Sequence, residues 1–250
     1  MLKNILHLLL VWLLCTAPVL CRAAQPALDK PIRALIVTGV DWPGHLWKET
    51  GPAVRDILRA DPRFAIEVVE DPSILAQPDL ARFDVVVLMF KNYQPIANEE
   101  QAWKNLAAIS RAGKGVSVIH FASGAFPEKP EFREFIGRAQ QKKHDKRGPF
   151  TVKIVRPEHA ITRGLADFEA DDELFIDLAG TRPIEVIATA KSNITGQDHP
   201  MAFVLTNDQG RVFHTTLGHD VKALQAPGTS ELIRRGTAWA AGQPPEMSTK

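Results

Sequence analysis

The run Gly115-Val-Ser-Val-Ile-His-Phe-Ala-Ser-Gly124 constrains this chain more than any other stretch. Its apolar part is too short for a helix, stops at a histidine, and turns through small residues toward the helix-like Pro130-Glu-Phe-Arg-Glu-Phe-Ile-Gly137. A short buried strand ending in this way belongs in an open α/β sheet, whose ligands bind outside the carboxyl ends of its strands. The pattern recurs three times. Ala34-Leu-Ile-Val-Thr-Gly39 runs into a loop with His45, Val85–Phe90 into Lys91-Asn92-Tyr93, and Val212-Phe-His-Thr-Thr-Leu217 into Gly218-His219-Asp220. Four polar strand ends are predicted to surround one cavity.

Between these strands lie helices and connections of crossover length. Proline suits a first helical turn, so a helix is predicted to start near Thr50-Gly51-Pro52 and to bury Val54, Ile57 and Leu58, with His45 and Trp47 at its entrance. Arg63–Val69 is a predicted second strand. Asp84–Phe90 is a third, its unbroken apolar run suiting a central parallel strand. Asn98-Glu-Glu-Gln101 has the shape of a capping box opening a helix through Ile109, which Gly113 stops. This β-α-β-β-α-β order predicts a flavodoxin-like, doubly wound, mostly parallel sheet with helices on both faces.

The C-terminal half adds antiparallel strands. Pro149–Val155 alternates like an antiparallel or edge strand, His159–Leu165 reads as a short turn, and Asp171-Asp-Glu carries three acids into a strand through Ile176. Ile184–Ala190 is another strand. Met201–Leu205 and Arg211–Thr215 form a predicted hairpin about Asn207-Asp-Gln-Gly210, and Ser230–Ala240 the last helix. Gln140–Arg147 is a charge run, expected as a solvated loop because unpaired charges are costly to bury. No repeat and no linker divides residues 31–242, which form one predicted domain before a flexible tail, 243–250.

Ahead of that domain stand Met1-Leu-Lys-Asn4, an apolar Ile5–Leu14 and small residues around Cys21-Arg-Ala23. This predicts a secretory signal over residues 1–23, shorter than the roughly 20 apolar residues of a spanning helix. Cleavage after Ala23 or Ala24, export to the periplasm and no stable membrane anchor afterwards are expected. Both cysteines, Cys15 and Cys21, fall in this segment, so the mature chain has no thiol, disulfide or cysteine nucleophile. Loss of Lys3 and Arg22 takes Lys+Arg from 30 to 28 against 29 Asp+Glu, a mature net charge of −1. That balance argues against nucleic acid or an anionic membrane surface as a partner.

His120 is either a core residue bonded to backbone or a pocket group able to move protons near neutral pH, and its strand-end position favours chemistry. Ser123-Gly124 lacks the G-x-S-x-G pattern of a nucleophile turn, since Phe121 stands two places before the serine. The turn's backbone N–H groups suit an oxyanion or hydroxyl better. In His219-Asp220 the carboxylate can orient the imidazole for general acid/base work, unless Asp220 caps the next segment and His219 faces solvent. His45, Trp47, Lys91, Asn92, Tyr93, Ser123, Gly124 and Glu173 are the expected substrate contacts. His45, His120, Glu173 and His219 have the ligand chemistry of zinc, but none shows an H-x-x-x-H or H-x-E spacing, so no metal ligands are assigned. A metal site would have to be assembled across distant strand ends. His144, His159 and His199 are expected at the surface or in turns.

Taken together, Leu35–Gly39, Gly44-His-Leu-Trp-Lys-Glu-Thr50, Phe90-Lys-Asn-Tyr93, Val118–Ala125, Ile161-Thr-Arg-Gly-Leu165, Asp172-Glu-Leu174 and His214–Asp220 resemble the ThuA-like, or trehalose-utilisation, proteins, in order from about Pro31 to Gly242. The resemblance implies a fold like that of class I glutamine amidotransferases, which carry a cysteine in the turn after the central strand. Here that turn reads His120-Phe-Ala-Ser-Gly124, which excludes thiolate chemistry on glutamine. The resemblance also implies carbohydrate metabolism, with trehalose or related disaccharides, including 3-keto sugars, as small-molecule partners. A 3-keto group acidifies the neighbouring C2–H, so His120 or His219, the latter supported by Asp220, is the expected base for elimination or hydration. Lys91 or a bound cation would stabilise the enolate, and Trp42, Trp47 or Tyr93 would supply a platform for a sugar face. A non-catalytic sugar-binding protein and a metal-dependent hydrolase remain as alternatives. Divalent-metal dependence and oligomeric state stay open.

Overall fold

The four apolar runs that end in polar loops become strands in the computed structural model, which describes residues 31–246. The predicted signal segment lies outside these residues. β1 (Ile32–Val37), β2 (Phe64–Val69), β3 (Val85–Leu88), β4 (Gly115–Ile119) and β11 (Gly210–Thr215) are parallel neighbours in the order β2-β1-β3-β4-β11. The sheet continues antiparallel through β10 (Asp198–Asn207), β9 (Glu185–Lys191), β6 (Gly148–Ile154) and β7 (Phe168–Asp172). β5 (Ala139–Gln140) and β8 (Leu178–Ala179) form a separate pair. The predicted doubly wound, mostly parallel α/β sheet with antiparallel strands in the C-terminal half is the fold observed.

Strand periodicity divides the core in two. In β1, Ala34 and Ile36 face the cluster that holds Val54, Ile57 and Leu58 of α1 (Trp47–Arg59) and Leu232 and Ile233 of α5 (Pro227–Ala240). Leu35 and Val37 face the other, with Leu106 and Ile109 of α2 (Glu99–Arg111). Each such fully buried aliphatic side chain contributes about 1.5–3 kcal/mol. Two shorter helices, α3 (Pro130–Phe135) and α4 (Val221–Gln225), flank the carboxyl edge of the parallel strands. Among the described residues no helix is long and apolar enough to cross a membrane.

Several local expectations are corrected. α1 starts at Trp47, ahead of Pro52, because the buried indole donates to Asp41 and draws the helix start forward. Asn98 does not cap α2. Its backbone is left-handed (φ 56°) and its side chain makes no cap bond, while Glu99 is held by Asn92 instead. The acids at 171–173 end β7 rather than lead into a strand. Within the charge run, Asp145 is buried and accepts from Ser192 Oγ (2.7 Å) and the Asn193 N–H (2.6 Å). The first residues of the expected tail are tied down, Arg63 donating to the Pro244 carbonyl (3.0 Å) and Arg235 pairing with Glu246 (2.8 Å).

Gly236 of α5 lies flat against Phe213, where an added Cβ would approach three ring atoms to 2.4–2.5 Å. Gly236→Ala is predicted to destabilise by about 1–3 kcal/mol through overpacking. Denaturant unfolding should show a lower midpoint at unchanged slope, and an unchanged midpoint would contradict this packing.

Candidate metal centre

His120 directly follows β4 with a left-handed backbone, φ 49°, a conformation that histidine adopts more readily than most non-glycine residues. Its ring is fully buried, and Nδ1 lies 2.7 Å from the Thr216 carbonyl. A carbonyl only accepts, so this bond fixes the proton on Nδ1 and leaves the Nε2 lone pair free. Nε2 faces Glu173 Oε2 at 3.7 Å.

His219 follows β11 through Gly218, whose φ of +114° and close approach to Leu224 (2.8 Å to an added Cβ) admit only glycine. The buried carboxylate of Asp172, the last residue of β7, accepts from the backbone N–H groups of Gly218 (2.6 Å), His219 (3.2 Å) and Glu173 (2.8 Å). One side chain thereby orients two candidate ligands. His45 arrives from the loop after β1, its N–H bonded to the Trp42 carbonyl (3.0 Å) and its ring stacked on Phe121 at 4.4 Å between centroids.

These loops bring His45, His120, Glu173 and His219 together, with one ligand atom from each lying within 4.8 Å of all the others. Atoms bound to a single ion at about 2.0–2.2 Å lie within roughly 4.4 Å of one another. Both ring nitrogens of His45, His120 Nε2 and His219 Nδ1 are buried with no hydrogen-bond partner among the described residues. A buried unpaired polar atom costs about 1–3 kcal/mol, so one such nitrogen from each of three histidines, converging in one place, calls for a shared partner. Three imidazoles and a carboxylate are the donor set of zinc or a related first-row divalent ion. The Thr216 carbonyl on His120 is the outer-shell bond that such ligands typically make. Phe121 and Phe175 wall the cluster, the latter 4.7 Å from the His120 ring.

The charge states of His45, His120 and Glu173 suit a cation. Burial and the neighbouring His219 push His45 down to about 4, and burial with the His45 charge holds His120 well below its usual value. Burial raises Glu173, but contact with His219 (3.4 Å) and the charge of His120 outweigh it and take the carboxyl down to about 2. The same contact raises His219. Burial lifts Asp172 to about 6 against its three N–H donors.

Of the residues expected at the site, His45, His120, Glu173 and His219 converge, and the absence of a short ligand spacing did not prevent a metal-like cluster from forming. Asp220 is not the partner of His219. It caps α4, accepting from the Ala223 N–H (2.9 Å), and pairs with Arg147 (2.8 Å), while Glu173 takes the partner's place. Asn92 is buried with both amide ends engaged, by Glu99 Oε2 and the Phe126 N–H, so it holds the loop rather than a ligand. Trp47 is buried in α1 and offers no exposed face. Tyr93 is exposed and stacks on the exposed Trp42 at 4.3 Å. Lys91, Ser123 and Gly124 line a neighbouring cavity. His144 is exposed, as expected, and also sits at the site's edge with Nδ1 3.8 Å from Glu173 Oε1. His159 lies in a turn, as read from the sequence, whereas His199 stands in β10 opposite Ala190, with Nε2 2.8 Å from Thr195 Oγ1. Asp172 was visible only as one of three adjacent acids.

Residues 33–240 match the family model of ThuA, described as trehalose utilisation, and the chain belongs to that family. Among solved structures it is similar to a ThuA-like protein from Parabacteroides merdae, with 24% identity, a TM-score of 0.79, and 88% of this chain and 94% of that one covered. A ThuA-like protein from Bacteroides uniformis is similar at 18% identity and a TM-score of 0.69, covering 89% and 98%. A β-galactosidase from Rahnella sp. R3 shares the fold over 84% of this chain and 31% of its own length, at 14% identity and a TM-score of 0.59. No curated protein matches the chain.

In metal-free protein, unfolded histidines take up protons near pH 6.5 whereas folded His45 stays neutral to about pH 4. Stability is therefore predicted to be full above pH 6.5 and to fall as the pH drops toward 4. His45→Gln should flatten that decline, measured as the difference in thermal midpoint between about pH 7 and about pH 5. Equal declines in the two proteins would contradict the shift.

Proposed function

We propose that this ThuA-family protein is an exported, divalent-metal-dependent enzyme acting on a disaccharide or its 3-keto form. The observation that carries the reading is the convergence of His45, His120, Glu173 and His219 with their unpartnered nitrogens. The family's description, trehalose utilisation, supports a carbohydrate substrate. The exposed, stacked Trp42 and Tyr93 beside the His45 loop support a sugar-face platform. The charge pattern and apolar run of residues 1–23 support export.

A bound ion would polarise a sugar hydroxyl or carbonyl and lower the pKa of coordinated water toward about 7. His45, His120, Glu173 and His219 would hold it, and Asp172 and the Thr216 carbonyl keep Glu173, His219 and His120 in register. With the imidazoles so engaged, proton transfer falls to Lys91 rather than to His120 or His219. Lys91 lies just past β3, carries no carboxylate partner among the described residues, and has its ammonium pKa lowered by burial. That direction eases release of the ammonium proton to a substrate.

A second reading rests on the 3.4 Å pair of His219 and Glu173, which by itself can act as a carboxylate-assisted general base. Incubation of chelator-treated and metal-restored protein with trehalose, sucrose and their 3-keto forms, followed by mass spectrometry, separates the two. Consumption should require the metal and fall at least about 100-fold in Glu173→Gln. Full activity after chelation, lost in His219→Ala, would transfer the chemistry to the metal-free base. No consumption under any condition would leave a sugar-binding protein. The secreted chain should begin at Ala24 or Gln25 by N-terminal sequencing, and an uncleaved start would contradict export by this signal.

A further inference from the structure

Next to the histidine cluster lies a cavity of about 190 Å³, bounded by the His120–Gly124 turn, α3 and β5. Its charged lining residues are Lys91, Lys129 and Arg133, and no carboxylate lines it. Lys129 is paired with Glu100 at 2.6 Å, an exposed acid outside the lining, whereas Lys91 and Arg133 have no ion-pair partner among the described residues. Like charges facing a half-closed space repel one another and lose hydration, and an anion relieves both penalties. Gln140 and Gln141 bring amide groups to the same wall, and Ser123 brings a buried hydroxyl that accepts from the Gln140 N–H (3.4 Å) and keeps its own proton to donate.

The volume limits what can enter. At about 30 Å³ per water the cavity holds roughly six waters. That is below the roughly 300–1,000 Å³ of a pocket for a drug-sized ligand, so it accommodates one small group and not a disaccharide. The connection to the cluster is Lys91. Gly124 leaves the space its stem occupies, since an added Cβ would lie 2.8 Å from Lys91 Cδ and Cε. Its Nζ stands 5.3 Å from the Tyr93 ring, which stacks on Trp42 beside His45.

We propose that this cavity binds an anionic substituent, a phosphate or a carboxylate, carried by the carbohydrate that meets the histidine–glutamate cluster. The inference rests on the functional reading above and narrows its substrate class to sugar phosphates or sugar acids. Anions also bind metal ions directly, so the test uses chelator-treated full-length mature protein. Calorimetric titrations with glucose 6-phosphate, glucuronate and glucose at low ionic strength serve as probes, and the tighter of the two anions identifies the group. At least one anionic sugar should bind about tenfold or more tightly than glucose, the worth of one charge-assisted hydrogen bond. That preference should shrink about tenfold in Arg133→Gln and weaken as salt is added. Lys129→Gln, at the rim, is the second variant should the first fail to show wild-type circular dichroism. Equal binding of all three sugars overturns the proposal, as does an anion preference untouched in both folded variants. A preference that appears only after metal is restored also overturns it, because the ion would then hold the anion. Failure of the metal reading is a separate result, seen as absence of bound metal while the Arg133-dependent preference persists.

Discussion

A single buried carboxylate joins the two halves of the sheet where the site forms. Asp172 closes β7 at one edge of the nine-stranded sheet, yet it accepts the N–H groups that follow β11 near the centre. The antiparallel extension must therefore fold back over the carboxyl ends of the parallel strands for these bonds to exist. Burying a carboxylate is costly unless its lone pairs are satisfied, and three backbone donors meet that requirement. Glu173 and His219 flank that contact, so their meeting follows from it. Arg147, paired with Asp220 (2.8 Å) and near Asp171 (3.9 Å), and Asp145, bonded to the turn at Ser192-Asn193, fasten the neighbouring loops.

The remaining site residues come from the parallel half by simpler means. β1, β4 and β11 each run out of apolar residues at the same edge, and the residue types that follow are those a cation or sugar requires. The opposite edge has a structural task. There Asp84 receives Arg33 (3.2 Å) and Lys114 (3.0 Å), which hold its carboxyl well below the usual range and secure the starts of β1, β3 and β4. Chemistry and framework thus occupy opposite ends of one sheet, as expected when strand direction is shared.

Most of the fold could be read from residues because apolar runs of strand length are bounded by polar turns. The histidines could be singled out because each stands just past such a run. Their mutual distance could not, since no spacing in the chain links His45 to His120 or His219. Glu173 was visible as an acid but not as the residue just past a strand end, because only pairing with β6 shows that β7 stops at Asp172. Asn92 and Trp47 looked like site residues for the same reason as the histidines, and the core claimed them: one amide bonded at both ends, one indole turned into α1. Asp145 looked solvated amid lysines, and only the distant Ser192-Asn193 turn explains its burial.

The central claim is that four side chains from four loops form one cation site. Elemental analysis of the protein purified without chelator, and again after dialysis against zinc, manganese and iron(II), tests it most directly. The structure predicts about one divalent ion per chain in the wild type and none in a folded His120→Ala/Glu173→Ala double variant. A wild-type protein that takes up no ion under any of these conditions, or a double variant that binds as much as the wild type, would contradict it.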